Sequence, residues 1–474
     1  MHKVIVLLVV VVGCTKPNPN RCCTDEADCT TNDIPAGSVC EAGLVCRGNQ
    51  CISEPCSSSG ECEASAFYCV SELCGESCTV DAECPGFGQT AEERYCVEGA
   101  CEQCRIGIAD DCSSTAPVCD QGACRSCRSH EECASGVCTD NGQCADEASI
   151  AYVTLTGSAS SDCARSSPCD SISVALAKMP PRAYVLVSPG TYSSAATVAP
   201  IGERWIIGAG NAPVLTRSSD GPIVTIGGGS TVRLENLEIA GAVGIGPDAA
   251  TTGYGIAFQI SSGTANLELH HVTVRDNAAH GLRGGGCTLT AIDSAFIDNA
   301  RDGVSLGECT ATFDRCLVSG NQHGLILDGG LYSITNSFIV RNVGDESTGI
   351  DLFSENPGQR VEFNTIVDNI DTSGTNLGVG FRCNLTGPAS FPNNIIGRNA
   401  RQTTGTNCTY PGSIIIDTDI APLKLASPDT APYDYHLTAG SIAIDAATQA
   451  TLDHDFDGDP RSAPRDVGAD ELVR

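Results

Sequence analysis

One six-residue pattern recurs between residues 267 and 342, as VTVRDN (272–277), SAFIDN (294–299), CLVSGN (316–321) and SFIVRN (337–342). The closing asparagines are separated by 22, 22 and 21 residues, and an apolar residue stands three positions before each of them. A glycine followed by an aliphatic residue comes three or four positions after the first three asparagines. A fixed period near 22 residues, with short β-rich segments, predicts a solenoid of stacked coils.

The asparagine column continues beyond the regular repeat, through Asn369 and Asn399, which follow at intervals of 27 and 30 residues. Asparagines stacked at a turn hydrogen-bond to one another along the solenoid axis, so the column is predicted to be structural. Insertions lengthen the period in several places, including residues 242–263 and 371–380. In a solenoid such insertions map to loops on one side, where they build a binding face.

Composition narrows both the fold class and the partners. The 474 residues include 27 Lys and Arg against 58 Asp and Glu, a net charge of −31. This acidity argues against nucleic acid as a partner, and against anionic polysaccharides unless a divalent cation bridges the two. Fifty-one glycines against two methionines and one tryptophan favour turn-rich, all-β structure over helix bundles.

Residues 1–13 have the pattern of an export signal, in which an apolar run from Val4 to Val12 is too short to span a bilayer. Val11-Val12-Gly13-Cys14 resembles the bacterial lipobox. The resemblance implies that Cys14 becomes the first mature residue and carries a lipid, which would anchor an outer-membrane or cell-surface lipoprotein. Residues 14–20 would then form a tether. The alternative is an ordinary secretory signal cleaved nearby.

Residues 21–147 form a cysteine-rich region that holds 22 of the 30 cysteines, a density typical of disulfides in an oxidising compartment. Most fall into sets of four: Cys56, Cys62, Cys69, Cys74; Cys78, Cys84, Cys96, Cys101; Cys104, Cys112, Cys119, Cys124; and Cys127, Cys133, Cys138, Cys144. Each set predicts two bridges of open connectivity. Zinc is the alternative, because Cys101-x2-Cys104 and Cys124-x2-Cys127 have ligand spacing. The region is predicted to be a rigid stalk, or else a ligand-binding module.

Residues 148–474 open with a strand, a short helix over 170–179 capped by Asp170, and a strand ending Gly190-Thr191-Tyr192. This order resembles the start of right-handed parallel β-helix proteins of the pectate-lyase-like superfamily. Residues 435–445, 453–461 and 466–471 are similar to the ending of many exported bacterial β-helix proteins. The resemblance implies an N-terminal capping helix, a β-helix, and a C-terminal motif that closes the last coil. It indicates fold more firmly than activity.

Three disulfides are predicted within the solenoid. Cys287 and Cys309 lie 22 residues apart, so they occupy equivalent places on adjacent coils, within disulfide reach. Cys163 with Cys169, and Cys383 with Cys408, would close local loops. Cys316 shares a column with Val272 and is predicted to be a buried free thiol.

The candidate catalytic residues are His280, Asp302 and His323, each of which directly precedes a glycine of the repeat. They should stack at steps of about 5 Å along one edge of the solenoid. Such a row, with Arg301 close by in sequence, has the groups needed for acid–base work on a sugar. The alternative is that polar residues before a turn are merely solvated.

The candidate metal ligands are Asp453, Asp455, Asp457 and Asp459, which alternate along a turn containing Gly458. Alternating carboxylates on a turn suit Ca²⁺, although Pro464 stands where an EF-hand would place its final glutamate. The alternative is a structural turn in which Arg461 pairs with the carboxylates.

The sequence thus predicts a monomeric surface lipoprotein that displays a β-helix for non-catalytic adhesion, or for binding to glycans or partner surfaces. The alternative is a carbohydrate-active enzyme: a polysaccharide lyase, a glycoside hydrolase or an epimerase.

Overall fold

A computed structural model describes residues 111–473, apart from 195–196, 245–251, 347, 357, 375–377 and 449–451. Before residue 111 it describes 44–47, 50–53, 68–70, 73–75, 81, 84, 95–98, 100–106 and 108. The chain divides into two compact units, Met1–Ala145 and Asp146–Arg474. Cys14 and residues 1–20 lie outside the described residues, so the predicted signal, anchor and tether stay predictions.

The described part of the first unit contains short antiparallel hairpins. Their strands are Leu44–Arg47 with Gln50–Ser53, Tyr68–Val70 with Leu73–Gly75, Tyr95–Val97 with Ala100–Glu102, and Val118–Asp120 with Ala123–Arg125. Single 3₁₀ turns follow at His130–Glu132 and Glu147–Ser149, the latter at the start of the second unit.

The described disulfides of the first unit share one pattern of connectivity. In the set that begins at Cys104 the bridges are Cys104–Cys119 and Cys112–Cys124. In the next set they are Cys127–Cys138 and Cys133–Cys144. The first cysteine therefore pairs with the third and the second with the fourth, and the Cys84–Cys101 bridge is the second-to-fourth bridge of its own set. All four cysteines with zinc-like spacing are in disulfides, so the zinc interpretation is wrong.

Cross-links also make up the interior of this unit. Among its described residues, the buried apolar side chains are five cysteines and Val137. So little hydrocarbon cannot offset the entropy of ordering the chain, and the covalent bridges must supply the difference.

The second unit is a right-handed parallel β-helix built from three long sheets, which confirms the predicted fold class. In spatial order the nine-strand sheet contains Ile150–Val153, Tyr184–Val187, Glu203–Gly208, Thr231–Glu235, Asn266–His270, Thr288–Ile292, Thr310–Asp314, Leu331–Thr335 and Arg360–Glu362. The ten-strand sheet contains Thr191–Ser194, Val214–Arg217, Glu238–Ala240, Thr273–Arg275, Ala295–Ile297, Leu317–Ser319, Phe338–Val340, Thr365–Val367, Ile395–Gly397 and Ile414–Ile416. The eight-strand sheet contains Val224–Gly227, Ile256–Gln259, Leu282–Gly285, Asp302–Gly307, His323–Asp328, Thr348–Ser354, Val379–Ser390 and Thr403–Thr409.

The apolar column of the repeat forms the core. Val274, Phe296, Val318 and Ile339 are direct partners on successive strands of the ten-strand sheet, and all four are fully buried. Because side chains alternate between the two faces of a strand, one inward residue per short strand recurs on every coil and stacks into a continuous apolar column.

The predicted asparagine ladder is present and buried. Each Nδ2 donates to the Oδ1 of the next asparagine, at 2.8 Å from Asn277 to Asn299 and 2.9 Å from Asn299 to Asn321. The same contact continues through Asn342 and Asn369 to Asn399. Position 281 requires a glycine, because a Cβ there would lie 2.8 Å from the Asn299 Nδ2.

A second column, at the turn between the nine-strand and ten-strand sheets, was not predicted. The Asn364 Nδ2 donates to Asn394 Oδ1 at 3.1 Å, and the Asn364 Oδ1 accepts the Ser337 N–H. The Ser337 hydroxyl accepts the Cys316 N–H. Cys316 is buried and unbridged as predicted, and burial raises the pKa of its thiol to about 12.

At the N-terminal end of the β-helix the helix spans Ile172–Leu176, shorter than predicted. Ser171, not Asp170, is its N-cap, because the Ser171 side chain accepts the Val174 N–H. The three solenoid disulfides join the predicted partners, Cys163–Cys169, Cys287–Cys309 and Cys383–Cys408.

The C-terminal motif lies against the outer face of the ten-strand sheet, where its apolar residues pack on Phe338, Val367 and Ile395. It includes the 3₁₀ turn Ala421–Leu423 and the antiparallel strands Leu425–Ser427 and Asp434–Leu437. A separate parallel pair, Val343–Gly344 with Ile370–Asp371, lies elsewhere on the solenoid. The Arg461 guanidinium is buried and donates to the carbonyls of Gly468 and Ala469 at 2.8 and 2.9 Å. The motif therefore covers a lateral face, where the resemblance had implied an end cap.

Candidate functional site

Three of the four predicted catalytic residues form a row at the start of the eight-strand sheet. Asp302 and His323 open successive strands and are direct cross-strand partners. His280 stands two residues before Leu282, the partner of Val304, and so occupies the same position one coil earlier. The stacked coils place the three side chains one strand spacing apart, about 4.8 Å.

The Asp302 carboxylate lies between the two imidazoles. His323 Nδ1 donates to Asp302 Oδ1 at 2.9 Å, and His280 Nδ1 lies 2.9 Å from Asp302 Oδ2. The His280 contact is short but poorly aligned for a hydrogen bond, because the ring N–H does not point at the oxygen. Burial acts to raise the pKa of Asp302, but the His280 and His323 rings outweigh it and hold that pKa well below its usual range.

The two histidines differ in their exposure to solvent. The side chains of His280 and Asp302 are 5% and 11% exposed, whereas His323 is 23% exposed. The His280 Nε2 lies 3.4 Å from Arg283 Nη1. With Nδ1 of His323 committed to Asp302, its Nε2 is the nitrogen of the row that a ligand can reach.

Arg301, the fourth predicted residue, does not converge with the row. Its side chain is exposed. Residue 301 lies in a bend just before the strand, and no hydrogen bond or ion pair among the described residues joins Arg301 to the row. Arg275, the other nearby arginine, pairs with Glu238 and Asp276.

Sequence reasoning missed the groups that flank the row. Arg283, three residues after His280, donates to the Tyr254 hydroxyl at 3.2 Å. On the same sheet Arg382 Nη1 donates to Asp351 Oδ2 at 3.0 Å, and these two residues are direct cross-strand partners. No strand period read from His280 reaches Arg283, and nothing in the sequence marks Asp351 and Arg382 as partners.

Asp351 is chemically distinct from Asp302. Burial raises the pKa of Asp351, against the opposing charges of Arg382 and His323. Its Oδ1 is shielded from solvent and accepts no hydrogen bond among the described residues. The site therefore has one carboxylate whose pKa is lowered and another whose pKa is raised, the second within electrostatic reach of His323.

The sheet presents these groups along its outward face. Arg283, Ser305, Ile326, Asp351, Arg382 and Thr404 are successive partners on six strands. Beside them, Gly285 and Gly307 pair on adjacent strands, so the sheet surface at these two positions carries no side chains. Six strands at about 4.8 Å give a strip about 24 Å long, parallel to the solenoid axis.

The four predicted calcium ligands do not form one cage. The Asp455 carboxylate is fully buried and accepts the N–H groups of Asp457, Asp459 and Glu471 at 2.8–3.0 Å. Asp453 is 91% exposed and pairs with His454. Alternate residues of this turn point apart because the chain folds around Asp455, and Arg461 pairs with Glu471 at 3.4 Å. Of the four, only Asp457 joins a group of ligand atoms close enough to hold a cation.

In the part of the chain that the structure describes, no helix is both long and apolar enough to cross a bilayer.

Comparison with known proteins yields matches to solved structures alone. No family model matches it, and no curated protein matches it in sequence. The solved structure of pectate lyase Pel9A is 17% identical, with a TM-score of 0.47, over 68% of this chain and 96% of that one. A rhamnogalacturonan lyase is 12% identical, with a TM-score of 0.36, over 57% of this chain and 85% of the other.

A double mutant of the periplasmic alginate epimerase AlgG is 15% identical, with a TM-score of 0.32, over 49% of this chain and 61% of the epimerase. At these identities and TM-scores the likenesses say nothing about activity, which has to be argued from the site.

Proposed function

We propose that the β-helix is a carbohydrate-active enzyme that acts on a glycan laid along the outward strip of the eight-strand sheet, with His323 as general base and Asp351 as general acid. The observation that carries the proposal is the 2.9 Å hydrogen bond from His323 Nδ1 to an Asp302 kept ionised. Asp302 fixes the tautomer in which Nε2 accepts a proton, and it stabilises the imidazolium that then forms.

The roles follow from the two carboxylates. His323 Nε2 takes a proton from the sugar or from an attacking water, and Asp351, whose pKa burial raises, gives one to the departing oxygen. Arg283 and Arg382 supply positive charge on the same strip of an otherwise acidic chain. The row and strip run along the axis, so they suit a polymer better than a small sugar.

A screen of polysaccharides tests the proposal. The full chain is incubated with each polymer, with and without Ca²⁺, and both reducing ends and unsaturated uronates are measured. Unsaturated product indicates a lyase, and reducing ends alone indicate a hydrolase. Asp302→Asn and His323→Gln should each lower the rate at least about 100-fold.

His271→Gln is the matched control, because His271 is 67% exposed and lies 3.8 Å from Asp293 at a turn away from the row. Its rate should equal that of the unmodified chain. No product from any polymer, or an undiminished rate in His323→Gln, would refute the proposal that the chain is an enzyme.

Binding without turnover is the second candidate, and the burial of His280 and Asp302 favours it, since only His323 of the row is open to a ligand. The chain would then retain a glycan unchanged, and Arg382→Ala would weaken retention while Asp302→Asn would not. On either candidate we propose surface display through Cys14. A Cys14→Ala variant should lose surface labelling of intact cells, and retained labelling would refute the anchor.

A further inference from the structure

A second constellation lies in the C-terminal motif, away from the catalytic row. His436, Asp457 and Asp470 each offer one ligand atom, and these three atoms lie within 4.8 Å of one another. Ligand atoms about 2.1 Å from a tetrahedral zinc ion stand about 3.4 Å apart, so a shift of up to about 0.7 Å in each side chain would bring all three into coordination.

The His436 ring is oriented as in a metal site. Its Nδ1 donates to Asp434 Oδ1 at 2.5 Å, and the ring packs edge-on against Phe338 at 5.1 Å between centroids. Its Nε2 is shielded from solvent and makes no hydrogen bond of ordinary geometry, although Asp457 Oδ2 lies 3.2 Å away. A carboxylate behind Nδ1 that directs Nε2 forward is the usual support for a metal-binding histidine.

Asp470 provides an independent indication. It is 6% exposed, and one hydrogen bond to its carboxylate is described, from the Leu437 N–H to Oδ2 at 2.6 Å. A buried carboxylate with so few partners is costly unless a cation or a proton neutralises it.

We propose that His436, Asp457 and Asp470 bind a divalent transition-metal ion of the zinc type. An imidazole with two carboxylates suits Zn²⁺ or Mn²⁺ better than Ca²⁺, which prefers a cage of oxygens alone. Three protein ligands leave a coordination position open. His436 also lines a groove of about 840 Å³ between the ten-strand sheet and the C-terminal motif.

Metal titration of the untagged, fully oxidised chain tests the site. Zn²⁺ added to chelator-treated protein should bind at one equivalent per chain, and at 100 times the Kd it should raise the Tm of the β-helix by about 5 °C. Asp457→Asn should abolish both effects. Its side chain is 51% exposed, so the variant is expected to fold.

His454→Gln is the matched control, because His454 also lies between two carboxylates, Asp314 at 3.0 Å and Asp453 at 2.8 Å, but in no group of three ligand atoms. It should bind Zn²⁺ like the unmodified chain. An absent Tm shift, or an equal shift in Asp457→Asn, would overturn the proposal. Ca²⁺ giving the larger shift would overturn the zinc-type assignment. None of these outcomes depends on the polysaccharide screen.

Discussion

The two units of this chain solve the same stability problem by different means. The first spaces cysteines every few residues and buries mostly disulfide sulfur among its described residues. The second stacks apolar columns and hydrogen-bonded asparagines over many coils. A short repeat has too little apolar surface to hold itself together, whereas a stack adds a nearest-neighbour interface with each coil. Disulfide bonds therefore provide most of the stability in the first unit, which has no stack of coils.

Reduction should show the largest difference between the units. Bridges that close loops of 11–17 residues are each worth about 3 kcal/mol, so their loss should unfold the first unit. The single tryptophan, Trp205, lies in the nine-strand sheet and reports on the β-helix alone. After treatment with a strong reductant, a protease should cut within residues 95–145 while the fluorescence of Trp205 keeps its folded value.

The oxidised chain under the same protease is the control, and it should resist cleavage in that region. Loss of the Trp205 signal together with the first unit would show that the β-helix also depends on its bridges, and would erase the distinction.

An interior asparagine tests the ladder. Asn321 is fully buried, and its Oδ1 accepts both the N–H and the Nδ2 of Asn299 at 3.0 and 2.9 Å. Asn321→Ala leaves the buried Asn299 N–H without its acceptor, at about 1–3 kcal/mol, and removes one of the two acceptors of the Asn299 Nδ2, which keeps the Val274 carbonyl. We expect the free energy of unfolding to fall by about 3 kcal/mol, measured by urea denaturation followed at Trp205.

Asn266→Ala is the control, because the Asn266 side chain is partly exposed and makes one long contact, 3.3 Å to Thr231 Oγ1. It should cost less than about 0.5 kcal/mol. Equal losses in the two variants would mean that the ladder is no stronger than an ordinary surface contact.

The ladder was predictable because the same chemistry recurs on every coil, so one letter repeats at one interval. The second column escaped prediction because unlike residues fill it: Ser337, Cys316 and Asn364 all accept or donate at the same turn. A periodic structure is visible in sequence only where its column is also uniform in residue type.

The residues of the candidate sites also differ in whether a repeat in the sequence reveals them. His280, Asp302 and His323 were found because each stands at a fixed offset from a repeated glycine. Arg301 was included only because it lies close in sequence, and its exposed side chain stands outside the row. His436, Asp457 and Asp470 come together from separate segments of an aperiodic motif, so no spacing announces them.

Lowering the pH should reveal a smaller contribution to the stability of the β-helix, from the ionised carboxylate of Asp302. The pKa of Asp302 is lower in the folded chain than its unfolded value of about 3.9. The ionised form thus stabilises the fold above that value, and this stabilisation is lost as the pH falls toward the folded pKa. Between pH 5 and pH 3 the Tm reported by Trp205 should fall further in the unmodified chain than in Asp302→Asn. Parallel curves for the two proteins would contradict this contribution.

The smallest expected effect tests how the C-terminal motif is held to the stack. The Tyr435 hydroxyl donates to Asp368 Oδ2 at 2.6 Å, across the boundary between the motif and the ten-strand sheet. Tyr435→Phe removes one charge-assisted hydrogen bond, and Asp368 keeps its contacts with Arg398. The loss should therefore be about 1.5 kcal/mol, a shift of a few degrees in Tm by calorimetry. Tyr433→Phe, at a ring 45% exposed, should leave Tm unchanged. If Tyr435→Phe is equally silent, apolar packing on Phe338, Val367 and Ile395 holds the motif without this contact, as it holds the coils beneath.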